Sequence, residues 1–193
     1  MKTIVRGFTH VLRFAGRDGP GQFWPFAGVV LALVFLGWGG VMTLEMNRVF
    51  AELARFAAAH PDQATVVQTP TSYSVAIEPG ADIDFAPDIR LLFGGMAGLV
   101  GTTILLLAAA VTRRLHDRGL PGFFGLAPVP FLTFGLYGMA RLMADFGTTE
   151  GIPPMFYAVF LNNMIYLAVL LGLVIVLSLP GQKRENRYGP APT

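Results

Sequence analysis

Residues 112–121 read TRRLHDRGLP, and Arg113, Arg114, His116, Asp117 and Arg118 can all carry charge. One chemistry open to them is acid–base catalysis. His116 would move the proton, Asp117 would orient it, and the arginines would hold a phosphate. Adjacent residues on a helix point about 100° apart, so His116 and Asp117 do not naturally face each other. No second histidine or carboxylate cluster near this stretch completes a metal site. The competing use is structural. Gly119 stands where a helix C-cap wants a left-handed residue, with Pro121 two places on. Arg113, Arg114 and Arg118 crowd the negative end of the helix dipole, which stabilises cations by about 0.3–1 kcal/mol each. Asp117 lies four residues after Arg113 and three after Arg114, so it can pair with either. The same arginines, with Arg17, are placed to meet lipid phosphates or a partner. The structural and binding uses outweigh catalysis. No catalytic residue, metal site or cofactor is therefore expected.

The elements that must position this stretch are apolar. The chain has 193 residues, 53% hydrophobic and 13% charged, with mean hydropathy +0.57. A soluble domain usually carries about a quarter charged residues. The shortfall is concentrated in runs long enough to cross a bilayer, which takes about 20 residues. Four spans are expected, at 23–44, 89–112, 122–143 (bent or broken near Pro128 and Pro130) and 155–179. The fold class is an all-α membrane protein, built as one membrane domain over residues 1–193. The formal net charge of +2 gives no reason to expect nucleic acid. The absence of cysteine excludes disulfides and thiolate chemistry. More than 20 residues precede the first long apolar run, which does not resemble a cleaved signal peptide.

Residues 1–22 are expected to form an amphipathic helix and a turn. Ile4, Phe8, Val11, Leu12 and Ala15 recur at helical spacing, with Arg6, His10, Arg13 and Arg17 opposite, a pattern suited to lying in a membrane interface. The first span is expected to continue as a polar extension, EMNRVFAELARFAAAH, with Glu45, Arg48, Glu52 and Arg55 along one side. Within the 45–88 loop, ATVVQ and SYSVAI are placed to pair as a small β-hairpin. The tail 180–193, PGQKRENRYGPAPT, is expected to be extended.

Lys and Arg accumulate on the cytoplasmic side of short loops. Ten of the fourteen lie in the N-terminal segment, the link between spans two and three, and the C-terminal tail. Four spans place all three on one side. The expected topology has both termini in the cytoplasm and an acidic, periplasmic 45–88 loop.

Other constellations carry less. Gly94, Ala97, Gly98 and Gly101 form small-xxx-small pairs suited to helix packing, within the monomer or between copies. Asp82, Asp84 and Asp88 fit no calcium-loop spacing and read as a solvated acidic loop. Asn162 and Asn163 suit an interhelical hydrogen bond, and Arg141 with Asp145 an interfacial ion pair. No ionisable residue lies near the middle of a span, which counts against an ion-coupled transporter.

The RRLHDRG stretch resembles the most specific motif of the YhaH-type bacterial inner-membrane proteins, known as domain of unknown function 805. Gly16, Arg17, Phe23 and Trp24 in GRDGPGQFW look like that family's N-terminal motif. Asn186, Tyr188, Gly189 and Pro190 in NRYGPAP look like its C-terminal signature. In the central motif the matching positions are Arg113, Arg114, Leu115, His116, Asp117 and Gly119. Two departures stand out. Family members often carry more basic residues where this chain has Gly19, Pro20 and Gly21, and many are shorter between the central motif and the tail. The resemblance implies a bacterial inner-membrane protein and supplies no established activity.

The expected function is binding without catalysis, to a partner protein or anionic lipid headgroups, through the basic cytoplasmic face. A homo-oligomer or a place in a larger membrane complex is compatible with this. The alternative is a small transporter or channel component, and an enzyme acting on lipid ranks third.

Overall fold

The computed structural model describes residues 2–69, 72–78, 89–144 and 153–192. It is mostly helical. α1 spans Lys2–Thr9, α2 Pro20–Ala59, α3 Ile89–Asp117, α4 Val129–Ala144 and α5 Pro154–Ser178. A two-stranded antiparallel sheet, β1 (Ala64–Gln68) and β2 (Tyr73–Ile77), sits between α2 and α3 in sequence. Its register pairs Val66 with Val75. These strands are the ATVVQ and YSVAI segments, whose β-branched residues favour an extended chain.

Four helical stretches are long and apolar enough to cross a membrane: Pro20–Ala59, Leu91–Asp117, Gly122–Ala144 and Pro154–Ser178. The third is broken. Gly122–Leu126 forms a 3-10 turn before α4 begins at Val129. Pro128 and Pro130, which lack a donor N–H, flank that start.

At 40 residues α2 is about 60 Å long, roughly twice the hydrocarbon core of a bilayer. It opens with Pro20 at its first position. The Gly19 N–H donates to Gln22 Oε1 at 3.2 Å, which satisfies one orphan donor of the first turn. Its far half is held by ion pairs from Arg48 to Glu45 at 2.8 Å and Glu52 at 3.8 Å. The β-hairpin packs against this helix.

α1 is shorter than the amphipathic helix expected over residues 1–16. It ends at Thr9, and carbonyls just beyond that end are claimed by a distant arginine. The Arg113 guanidinium takes the carbonyls of His10 and Arg13, and Thr9 Oγ1 takes that of Arg6 at 3.1 Å. α1 docks on α2 where Gly7 meets the Phe26 ring so closely that a Cβ would lie 2.2 Å from Cδ2. Phe8 stands edge-on to the same ring at 5.1 Å.

The buried core lies at this end of the molecule. It joins Phe23, Phe26, Ala27 and Val30 of α2 to Ala110 and Leu115 of α3 and Leu177 of α5. Asn162 of α5 donates to the Phe131 carbonyl of α4 at 2.8 Å, an interhelical hydrogen bond. The small residues of α3 behave otherwise than expected. A Cβ added at Gly94, Gly98 or Gly101 would meet nothing within 4 Å, and Ala97 is exposed. The close contacts belong to Gly95 against Val41 and Gly37 against Leu99. Helical phase explains why Gly94, Ala97, Gly98 and Gly101 do not pack within the monomer. Residues 95 and 99 face α2, and the 94–98–101 stripe is turned away from it.

Candidate functional site

Three segments far apart in sequence meet at one end of the bundle. They are the turn after α1, the last turn of α3, and the chain after α5. The first two contribute buried charge, and the third contributes backbone carbonyls that accept from it.

α3 ends in a Schellman arrangement. The Leu120 N–H donates to the Leu115 carbonyl and the Gly119 N–H to that of His116, both at 2.9 Å, with Gly119 at φ 76°. This stop leaves Arg113, Arg114 and Asp117 on the inner side of the final turn. Arg114 is fully buried and Asp117 is 2% exposed. Asp117 accepts from Arg114 within its own helix through Oδ2, and from Arg17 through Oδ1 at 2.9 Å and 3.1 Å. Asp18, also buried, accepts from Arg113 Nε at 2.6 Å. Arg6 Nη1 lies 2.9 Å from the other Asp18 oxygen as an ion pair, without the angle of a hydrogen bond.

Three buried guanidiniums thus face two buried carboxylates. Backbone carbonyls carry the remainder. Arg17 donates to those of Gln182, Arg184 and Gly189. Arg114 donates to those of Leu177, Leu179 and Asp18. Arg113 holds the end of α1, as described above. The C-termini of α1, α3 and α5 therefore all point their negative dipole ends at this cluster, which favours the excess cation. A buried charge without partners would cost several kcal/mol, and here each one is paired and hydrogen-bonded.

The tail is not a free extended strand. Gln182 N–H donates to the Asp117 carbonyl at 2.9 Å. Asn186 donates through Nδ2 to the His116 carbonyl at 3.0 Å and accepts from Tyr188 N–H at 2.9 Å. Asn186 and Gly189 exchange backbone hydrogen bonds, with Gly189 at φ 119°. Tyr188 lies flat on His116, ring centres 3.7 Å apart and planes 6° apart. His116 Nδ1–H donates to the Gly16 carbonyl at 3.2 Å, and Gly16 itself takes φ 96°. The Arg187 guanidinium covers the Tyr188 ring at 4.7 Å.

The expectation that Arg17, Arg113 and Arg114 contact lipid headgroups is corrected by their burial. Arg17 and Arg114 donate to Asp117 and Arg113 donates to Asp18, and none of the three is more than 6% exposed. Arg118 is half-buried, with Nη1 on the Pro180 carbonyl. Phe23 belongs to the core beneath, while Trp24, about one-third exposed, stands at its edge. Pro190 lines an open cleft beside the tail.

Two functional residues escaped the sequence reading. Asp18 is one, and a signal existed, since it is the sole acid among the first 44 residues. Gly181 is the other. A Cβ there would sit 1.8 Å from Asp117 Oδ2, so only glycine admits the tail so close to the carboxylate. Among the described residues, no group of three His, Cys, Asp or Glu is placed to hold a metal ion. The Asp82, Asp84 and Asp88 group and Asp145, the partner expected for Arg141, lie outside the described residues.

Four apolar helices closed at one end by a buried arginine–aspartate latch define a multi-pass membrane protein whose two terminal segments are locked together. The latch is built from the three motifs shared with one family, and the chain belongs to it. The model of DUF805, described as "Protein of unknown function", matches residues 11–190. No curated protein and no solved structure matches the chain.

Proposed function

We propose that this protein is a bacterial inner-membrane binding protein without catalytic turnover, whose basic end faces the cytoplasm and engages anionic lipid. The observation that carries the reading is the division of labour among its cations. Arg17, Arg113 and Arg114 are consumed by the latch. Lys2, Arg13, Lys183 and Arg184 are exposed around it and make no salt bridge among the described residues. A juxtamembrane cation near an anionic surface contributes about 1 kcal/mol of attraction. The apolar side of α1 supports the same reading. Val5 and Phe8 are exposed, as is Leu12 in the turn just beyond α1, and they suit burial at the headgroup boundary. Against turnover stands the occupancy of the would-be catalytic pair. Asp117 is held by two arginines, and His116 is fixed to Gly16 and stacked on Tyr188.

The test is lipid exchange in nanodiscs. Protein in discs of mixed phosphatidylcholine and phosphatidylglycerol should retain phosphatidylglycerol preferentially, and raising salt should weaken that preference. Equal retention of both lipids at all salt concentrations would contradict the proposal. A solute flux in liposomes would favour the transporter reading instead.

A further inference from the structure

We propose that the cleft between α1 and the C-terminal tail is a seat for a phosphate monoester. This rests on the anionic-lipid reading above and narrows it to one site and one headgroup chemistry. The cleft has a volume of about 440 Å³, and Arg6, His10, Arg13, Arg17, Gln22 and Arg113 supply its polar lining. Tyr188 and the Pro190–Pro192 stretch form the opposite wall. A neighbouring lobe of about 560 Å³ shares Arg6, Gln22 and Pro192 and adds Lys2 and Thr3. Among the described residues, no carboxylate lines either lobe. Asp18 lies behind the wall, its oxygens turned to Arg6 and Arg113.

Those cations are of two kinds. Arg17 and Arg113 are paired with Asp117 and Asp18 and give the cleft a fixed back. Arg13 is exposed, and its one side-chain contact among the described residues is Nη1 at 3.4 Å from His10 Nε2. Arg6 shares its charge with Asp18 but remains 40% exposed at the side chain. So the front of the cleft holds unspent donors, with the amide of Gln22 beside them. A monoester dianion presents three non-bridging oxygens to several donors at once, while a phosphodiester presents two and half the charge. A pocket with several converging donors and no acid among the described residues favours the former. Its position beside the exposed apolar side of α1 allows a lipid to place its headgroup here with its chains in the bilayer. Inorganic phosphate presents the same chemistry from solution.

The experiment compares nanodiscs containing phosphatidic acid with discs containing phosphatidylglycerol at matched surface charge, and phosphatidylcholine discs with added inorganic phosphate. Bound lipid is counted by mass spectrometry and ligand stabilisation by the unfolding midpoint. Arg13→Gln is the clean variant because Arg13 touches no buried acid. Arg6→Gln is the second. The expected result is about tenfold preference for phosphatidic acid over phosphatidylglycerol. Arg13→Gln should reduce that preference about fivefold, the worth of one cation near an anionic surface, without changing the midpoint in phosphatidylcholine alone. Stabilisation by inorganic phosphate that Arg13→Gln removes would assign the seat to a soluble source and sustain it. Equal retention of the two anionic lipids, untouched by Arg13→Gln, would overturn the cleft and leave general anionic binding standing. Loss of all anionic preference in the parent would overturn both.

Discussion

Asp117 answers to two guanidiniums, one from its own helix and one from a residue 100 positions earlier. Removing its charge leaves Arg17 and Arg114 buried with only carbonyls, a situation that typically costs 3–5 kcal/mol. Asp117→Asn should therefore lower stability by about that amount, measured by denaturant unfolding in detergent micelles. His116 sits in the same turn with a lesser task. His116→Gln keeps a donor for the Gly16 carbonyl and loses the stack on Tyr188, worth about 0.5–1.5 kcal/mol. Its effect should be the smaller by a clear margin. A cellular defect from His116→Gln with unfolding unchanged would bring the acid–base reading forward. Gly181→Ala belongs with the aspartate. Its methyl would collide with Oδ2, so the tail must detach or Asp117 must turn away, and a loss of more than about 2 kcal/mol is expected.

The elements follow from two kinds of sequence information, and only one is local. α2, α3 and α5 are apolar runs with few charges, and their length alone announces them. The hairpin shows in the β-branched residues of Ala64–Gln68 and Tyr73–Ile77. The end of α1 is different. Periodicity runs on to Ala15, yet the helix stops at Thr9, and Arg113 takes carbonyls that follow. No window around residue 9 contains that arginine. The tail was illegible for the same reason. GQKRENRYGPAPT has the composition of a loose segment, and its order comes from Arg17, His116 and Asp117. The central motif disclosed its helix stop and its Arg114–Asp117 pair, both local, but not the inward aim of its arginines. α1 also carries a test at its own scale. Gly7→Ala places a methyl inside the Phe26 ring's space, so α1 should lift from α2. A nitroxide at Val5 should then lose the helix-phased difference in membrane depth expected against Arg6 in the parent. An unchanged depth profile would mean that α1 is not docked through Gly7.

At the scale of the molecule, the segments after α1, α3 and α5 gather at one end, and α2 starts there too. An even number of crossings is the topology proposed on that ground. Which compartment that end faces is the proposal made from the ten basic residues it carries. Reporter fusions after residue 80 and at residue 193 should report periplasm and cytoplasm respectively. The opposite assignment would invert the proposed topology and place the basic cleft outside the cell. The central claim is that the two chain ends and α3 form one buried ionic latch, and a double-mutant cycle on Arg17 and Asp117 tests it most directly. Arg17→Met, Asp117→Leu and their combination would be unfolded with denaturant under one detergent condition. Each single change should cost about 3–5 kcal/mol, because it strands a buried charge. The double change should cost less than the sum of the two by well over 1 kcal/mol, since it removes a pair in contact. Additive costs within about 0.5 kcal/mol would show that Arg17 and Asp117 do not meet, and the latch would be wrong.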